Sequence, residues 1–267
     1  MPFDLNSIVS ARSTYRPQRF ILYGVQGIGK TSCAATFAAP IVLRTEDGAC
    51  ALDIPTFPEI AATYTDVENA IKALHGEHPF RTLVLDSIDW LEPLVWARVC
   101  QDHPNIKSIE DISYGKGYVE ADNWWRRLQG GFDSLRFNKG MQIVIIAHAE
   151  VKTYSPPDDE KYDRYQPKLH KRAFALWQEW ADEVFFFNYR KTVTARDDKG
   201  QTFRAVGSGD RIIYTQERPA FLAKNRWSLP DEITIGHDRT WKPLHDALRA
   251  AIGEPYPYPF AQEAKHD

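Results

Sequence analysis

Gly24-Val25-Gln26-Gly27-Ile28-Gly29-Lys30-Thr31 fits the pattern G-x-x-x-x-G-K-[ST] at every fixed position. Just before it, Arg19 to Tyr23 reads as a short buried strand. Just after it, Thr31 to Ala39 reads as a helix stopped by Pro40. Strand, glycine loop and helix stand in the order that a phosphate-binding loop requires, which argues against a chance glycine turn. The glycines let backbone N–H groups curl around an anion, and the helix start adds dipole energy of roughly 0.3–1 kcal/mol. Gly24, Gln26, Gly27, Ile28, Gly29, Lys30, Thr31 and Ser32 form the expected nucleotide-binding segment. Lys30 would reach the β/γ-phosphates of ATP, and Thr31 would ligate Mg²⁺.

Further apolar runs suit strands at Pro40 to Thr45, Thr82 to Ser87, Met141 to Ala147 and Glu183 to Phe187, and helical spacing marks residues 67–74, 117–137, 172–180 and 241–252. Residues 191–196 and 202–206 flank Asp197-Asp198-Lys199-Gly200, a hairpin signal, and Phe221 to Arg226 reads as a last strand. The polar stretch 151–167 reads as a mobile surface loop. Strands alternating with helices predict an α/β fold: a mainly parallel twisted sheet with helices on both faces, plus a β-hairpin near the C-terminal side. Residues 1–18 read as a lead-in, 19–253 as one ATPase domain, and 254–267 as a flexible Pro/Tyr tail.

At 267 residues, 43% of them hydrophobic, the chain can build a sizeable core. Its first ten residues lack a basic start and an apolar run, and no later run is long enough for a bilayer, so a cytoplasmic, membrane-free protein is expected. Cys33, Cys50 and Cys100 are scattered and odd in number, which suits buried thiols better than disulfides. A net charge of −3 gives no global basic field, so any nucleic-acid contact must rest on a local patch or on assembly.

Ligands of such sheets sit at the carboxyl ends of the strands, and Glu46, Asp86 and His148 all stand at such ends. Asp86 at the end of the apolar strand from Thr82 suits a carboxylate that holds Mg²⁺ opposite Thr31. Its alternative is a turn-capping acid. Glu46 can face the γ-phosphate and polarise an attacking water, with Asp47 the runner-up base and Asp89 a weaker competitor. His148 can sense the γ-phosphate or be a hydrogen-bonded structural residue. Lys224 and Arg226, two residues apart, project from one side of an extended strand, which suits either a finger pair for a neighbour's γ-phosphate or a solvated basic strand end. His75-Gly76-Glu77-His78 and Cys100-Gln101-Asp102-His103 lack a paired Cys framework, which argues against zinc. Trp124-Trp125 suits helix-to-sheet packing better than base stacking.

Together these features resemble the RecA-like ATPase core of RecA, RadA, KaiC and DnaB, and more closely the short phage ATPases of single-strand annealing and recombination. The resemblance covers about residues 18–235. It rests on Gly24 to Ser32, Glu46, Asp86, Tyr114-Gly115-Lys116-Gly117-Tyr118, Tyr165 to Leu169 with Trp180-Ala181-Asp182, and Ala223 to Arg226 followed by Leu229-Pro230. It implies a RecA-like P-loop NTPase fold and Glu46 as the catalytic glutamate. It also implies a homo-oligomer, ring or filament, with Lys224 and Arg226 acting across the interface, and recombination or replication proteins as further partners. Loops after His148 and near 151–172 would contact single-stranded DNA. Asp158-Asp159-Glu160 departs from that expectation, which leaves Lys168, Lys171 and Arg172 as the DNA-binding candidates. The functions to weigh are an ATP-dependent recombination or annealing protein, a P-loop switch or nucleotide kinase without DNA, and a scaffold that ATP stabilises.

Overall fold

Alternation along the central strands decides the architecture. In β1 (Arg19–Gly24), Ile21 and Tyr23 enter one buried cluster while Phe20 and Leu22 enter a second, so both sheet faces are covered. The computed structural model describes residues 16–48, 52–158, 160–193, 205–236 and 240–260. In chain order the elements after β1 are α1 (Lys30–Ala34), β2 (Pro40–Arg44), α2 (Tyr64–Ala73), β3 (Thr82–Asp86), α3 (Ile88–Gln101), α4 (Lys116–Lys139), β4 (Gln142–Tyr154) and β5 (Tyr162–Pro167). They continue with α5 (Lys171–Trp180), β6 (Glu183–Val193), β7 (Ala205–Tyr214), β8 (Lys224–Asn225), β9 (Glu232–Ile235) and α6 (Lys242–Ile252).

The strands form one sheet in the order β2-β3-β4-β1-β6-β7-β9, with β5 on β4 and β8 on β6. Strands β2, β3, β4, β1 and β6 run parallel, and β7 and β9 are antiparallel to their neighbours. Residues of α2, α3, α4 and α5 fill the cluster on one face, and Cys33, Phe37, Leu244 and Leu248 of the α1 and α6 segments fill the other. This is the α/β P-loop NTPase arrangement. β4 lies between the glycine-loop strand β1 and the Asp86 strand β3.

Several expectations need correction. The stretch 151–167 is not a loop: β4 runs on to Tyr154 and pairs antiparallel with β5 from Ala149↔Pro167 to Tyr154↔Tyr162. α1 is much shorter than expected, ending at Ala34. The strand expected at Phe221 to Arg226 shrinks to Lys224–Asn225, and β9 is an additional strand. α3 was not expected. Its buried residues Ile88, Leu91, Val95 and Val99 follow helical spacing, but Pro93 inside it masks the signal. The Pro/Tyr segment starts as packed structure, since Tyr256 is buried and its hydroxyl lies 2.6 Å from Nδ1 of His245. The hairpin joining β6 and β7 is present, while Asp197 to Gly200 lie outside the described residues. So do Cys50, Asp159 and most of the lead-in. Cys33 is buried and Cys100 partly so.

Candidate functional site

The glycines of the loop answer to geometry. A side chain on Gly24 would collide with the carbonyl oxygen of Phe187, because β6 runs directly beside the end of β1. Gly27 and Gly29 adopt left-handed φ values of 72° and 102°. A Cβ on Gly29 would also lie 2.9 Å from the ring of Trp241. Ile28 is fully buried and anchors the loop to the core, whereas Gln26 and Gly27 are exposed. Lys30 Nζ donates to the carbonyls of Gly24 (3.1 Å) and Val25 (3.2 Å).

The register then brings separated residues to this loop. Gly24 pairs with His148 across β1 and β4, and Asp86 with Ile146 across β3 and β4, so all three stand at one end of the sheet. Thr31 Oγ1 donates to Asp86 Oδ2 at 2.8 Å. His148 is held twice by Asp89: its backbone N–H donates to Oδ1 at 3.0 Å and its Nδ1–H to Oδ2 at 2.9 Å. Glu46 Oε1 is 4.0 Å from the same Nδ1, and Asp47 beside it faces solvent. Asp89, considered from sequence as a competing base, is instead the group that orients His148.

Electrostatics follow from burial. Asp86 is pushed above the usual carboxylate value by burial, opposed by the Thr31 hydrogen bond and assisted by Glu46. Burial pulls Lys30 below the ordinary ammonium value, against the attraction of Asp86, Asp89 and Glu46. The Asp89 hydrogen bond raises His148 above its ordinary value despite burial. Burial acts to raise Asp89 but is outweighed by the bonds from His148, so its carboxyl lies below the usual range. One turn along α3, burial lifts Glu92 to about 7 even though both its oxygens accept from the His170 N–H, at 3.0 and 3.1 Å.

Other candidates are not drawn to this loop. Lys224 and Arg226 stand at the opposite edge: β8 pairs with Glu183 and Val184, and Glu183 aligns with Phe20, the second residue of β1. Lys224 Nζ donates to the carbonyls of Gln178 (2.7 Å), Glu179 (3.2 Å) and Ala181 (2.6 Å), closing the end of α5. Arg226 pairs with Asp182 at 3.1 Å and leaves half its side chain exposed. The two cations therefore do not form a matched free pair. Of the DNA candidates, Lys168 and Lys171 are exposed, and the Lys168 N–H donates to the His148 carbonyl at 2.8 Å. Arg172 is paired with Asp122 at 2.5 Å. A residue with no local motif, Arg211 of β7, also comes to the loop, with Nη1 at 3.3 Å from the point a Gly29 Cβ would occupy.

A glycine cradle ending β1, with a Thr–Asp pair below it and a carboxylate and imidazole beside it, is a P-loop nucleotide site. A family model described as an AAA domain matches residues 16–227, and the chain belongs to that family of P-loop ATPase domains. A search of curated proteins finds no match. Among the described residues no helix is long and apolar enough to cross a membrane.

Proposed function

We propose that the protein binds and hydrolyses ATP at the loop from Gly24 to Ser32, and that it does so in DNA recombination or single-strand annealing. The observation carrying the first part is the 2.8 Å contact between Thr31 and Asp86 beneath the glycine cradle. Their hydroxyl and carboxylate are hard oxygen donors that fit Mg²⁺, which favours few protein ligands and completes its shell with water and phosphate. When bound, that ion would neutralise phosphate charge. Lys30 would withdraw from the loop carbonyls to the β/γ-phosphates. Glu46 takes a proton from the attacking water as its oxygen bonds to the γ-phosphorus. The bond to the β-phosphate oxygen breaks, and ADP and phosphate leave. Asp89 holds His148 where it can report the γ-phosphate.

Support for the nucleic-acid part comes from the β4–β5 hairpin, which carries the chain directly from His148 to Lys168. A strand bound at Lys168 and Lys171 would thus press on the backbone that positions His148. In an assembly, half-exposed Arg226, not Lys224, is the member of the pair suited to a neighbour's site. Measuring hydrolysis with and without single-stranded DNA tests the reading. DNA should stimulate turnover and its binding should weaken steeply with salt, with a shallower slope after Lys168→Ala with Lys171→Ala. Turnover indifferent to DNA would favour a switch in the cytoplasm, and no turnover at all a nucleotide-stabilised scaffold.

A further inference from the structure

Arg211 is a cation beside the loop, among the described residues, that no motif announces. It pairs with Tyr189 across β6 and β7, two residues beyond the Phe187–Ile213 pair, and Phe187 is itself level with Gly24. Two strand residues advance about 6.6 Å, so Arg211 stands just past the carboxyl end of β1, at the height of the loop. Side chains two apart share a face, and Ile213 is buried with Phe187 and Ile28 on the face of α1 and α6. Arg211 therefore reaches the loop from that face. The ladder is regular up to this pair, and its irregularities come after it: the β6–β7 register shifts between Tyr189 and Lys191, and Gly209 takes a φ of 81°.

The absence of a side chain at Gly29 is what admits the guanidinium. An alanine there would put its Cβ 3.3 Å from Arg211 Nη1 and 2.9 Å from Trp241. Among the described residues no carboxylate forms an ion pair with Arg211. Its five donors are thus presented beside a loop whose lysine is also cationic, an arrangement suited to an anion with several acceptor oxygens.

Strand order says which part of the nucleotide it meets. Glu46 follows β2, Asp86 ends β3 and His148 closes the part of β4 that pairs with β1, all on one side of β1. Arg211 lies two strands away on the other side, beyond β6. The γ-phosphoryl group must face the carboxylate side, where the proposed base stands. We infer that Arg211 grips the diphosphate common to ADP and ATP from within the same subunit, and that it sets nucleotide affinity without sensing the γ-phosphate. This rests on the phosphate-loop reading.

The test measures ADP and ATP binding to the full chain by calorimetry for wild type, Arg211→Ala, Arg211→Lys and Arg190→Ala. Arg190 is the control, since its side chain turns to Thr234 at 2.9 Å. Arg211→Ala should weaken ADP and ATP alike by about tenfold or more, Arg211→Lys should recover part of the loss, and Arg190→Ala should bind as wild type. Equal affinity in folded Arg211→Ala would overturn the inference, as would a loss confined to ATP or an equal loss in Arg190→Ala. If Arg211→Ala does not fold, Arg211→Lys and Arg211→Gln carry the same comparison. A folded wild type that binds neither nucleotide would instead overturn the phosphate-loop reading beneath it.

Discussion

The two ends of the parallel sheet hold similar residues and use them in opposite ways. At the amino-terminal edge, Asp182 accepts from Arg19 (2.8 Å), Arg226 (3.1 Å) and Arg136 (3.4 Å), and Arg19 also reaches Asp133 at 3.3 Å. Lys224 is closed over three carbonyls. Burial acts to raise the Asp182 carboxyl, but the arginines outweigh it and hold it below the usual range. At the carboxyl-terminal end, Lys30, Arg211, Asp86, Glu46 and His148 converge on a loop of left-handed glycines. Charges already paired with one another hold the fold together. Charges gathered around the glycine loop are the ones we propose to serve a nucleotide. Residue type alone does not separate the two cases, and the partners do.

The sharpest way to break this contrast is to remove one charge from each end. Lys30→Ala should abolish ATP turnover, by about 10²-fold or more, with a thermal midpoint within a few degrees of wild type. Asp182→Ala should do the reverse, costing about 3–5 kcal/mol of stability in denaturant titration because three arginines lose their shared partner. If Lys30→Ala unfolds the chain while Asp182→Ala leaves stability intact, the assignment of the two ends is inverted.

A smaller effect is expected from Lys224→Met, which keeps the apolar stem but leaves three carbonyls without their donor. It should lower stability by about 1–3 kcal/mol, while turnover per folded molecule stays at the wild-type value. A stable variant that has lost turnover would restore Lys224 as a finger. Mixing Lys30→Ala with Arg226→Ala asks the same of its neighbour: recovered activity would show Arg226 acting on another subunit's loop.

An effect read from pH dependence concerns Glu183, which burial lifts to about 8 and whose Oε1 accepts from the Arg226 N–H at 2.9 Å. A carboxyl raised in the folded state stabilises most at low pH, and that contribution is lost as pH rises from its unfolded value through about 8. Glu183→Gln should remove this loss, so the variant gains thermal midpoint relative to wild type between pH 5 and pH 8. Parallel profiles for the two proteins would show that Glu183 is ionised in the fold.

The two ends also differ in how far the sequence discloses them. The phosphate loop was legible because its motif is local and its flanking strand and helix are continuous with it. Asp86 and His148 could be found because each closes an apolar run at a strand end. Arg211 could not, since its place depends on the register of three strands, β1, β6 and β7. The role of Lys224 was hidden too, because the carbonyls it closes lie 43–46 residues away. The β4–β5 hairpin reads as a loop because its strands are mostly solvated and lack an apolar face, as at Lys152 and Thr153. Asp89 reads as a rival base in the sequence because its bond to His148 crosses 59 residues.

Glu46 carries the chemistry on this account, and Glu46→Gln tests it most directly. The amide keeps the shape and neighbours of the carboxylate but cannot accept a proton from water, so ATP binding with Mg²⁺ should stay within a few-fold of wild type while turnover falls by about 10²-fold or more. Wild-type turnover in Glu46→Gln, with Asp47→Asn inactive instead, would contradict the account.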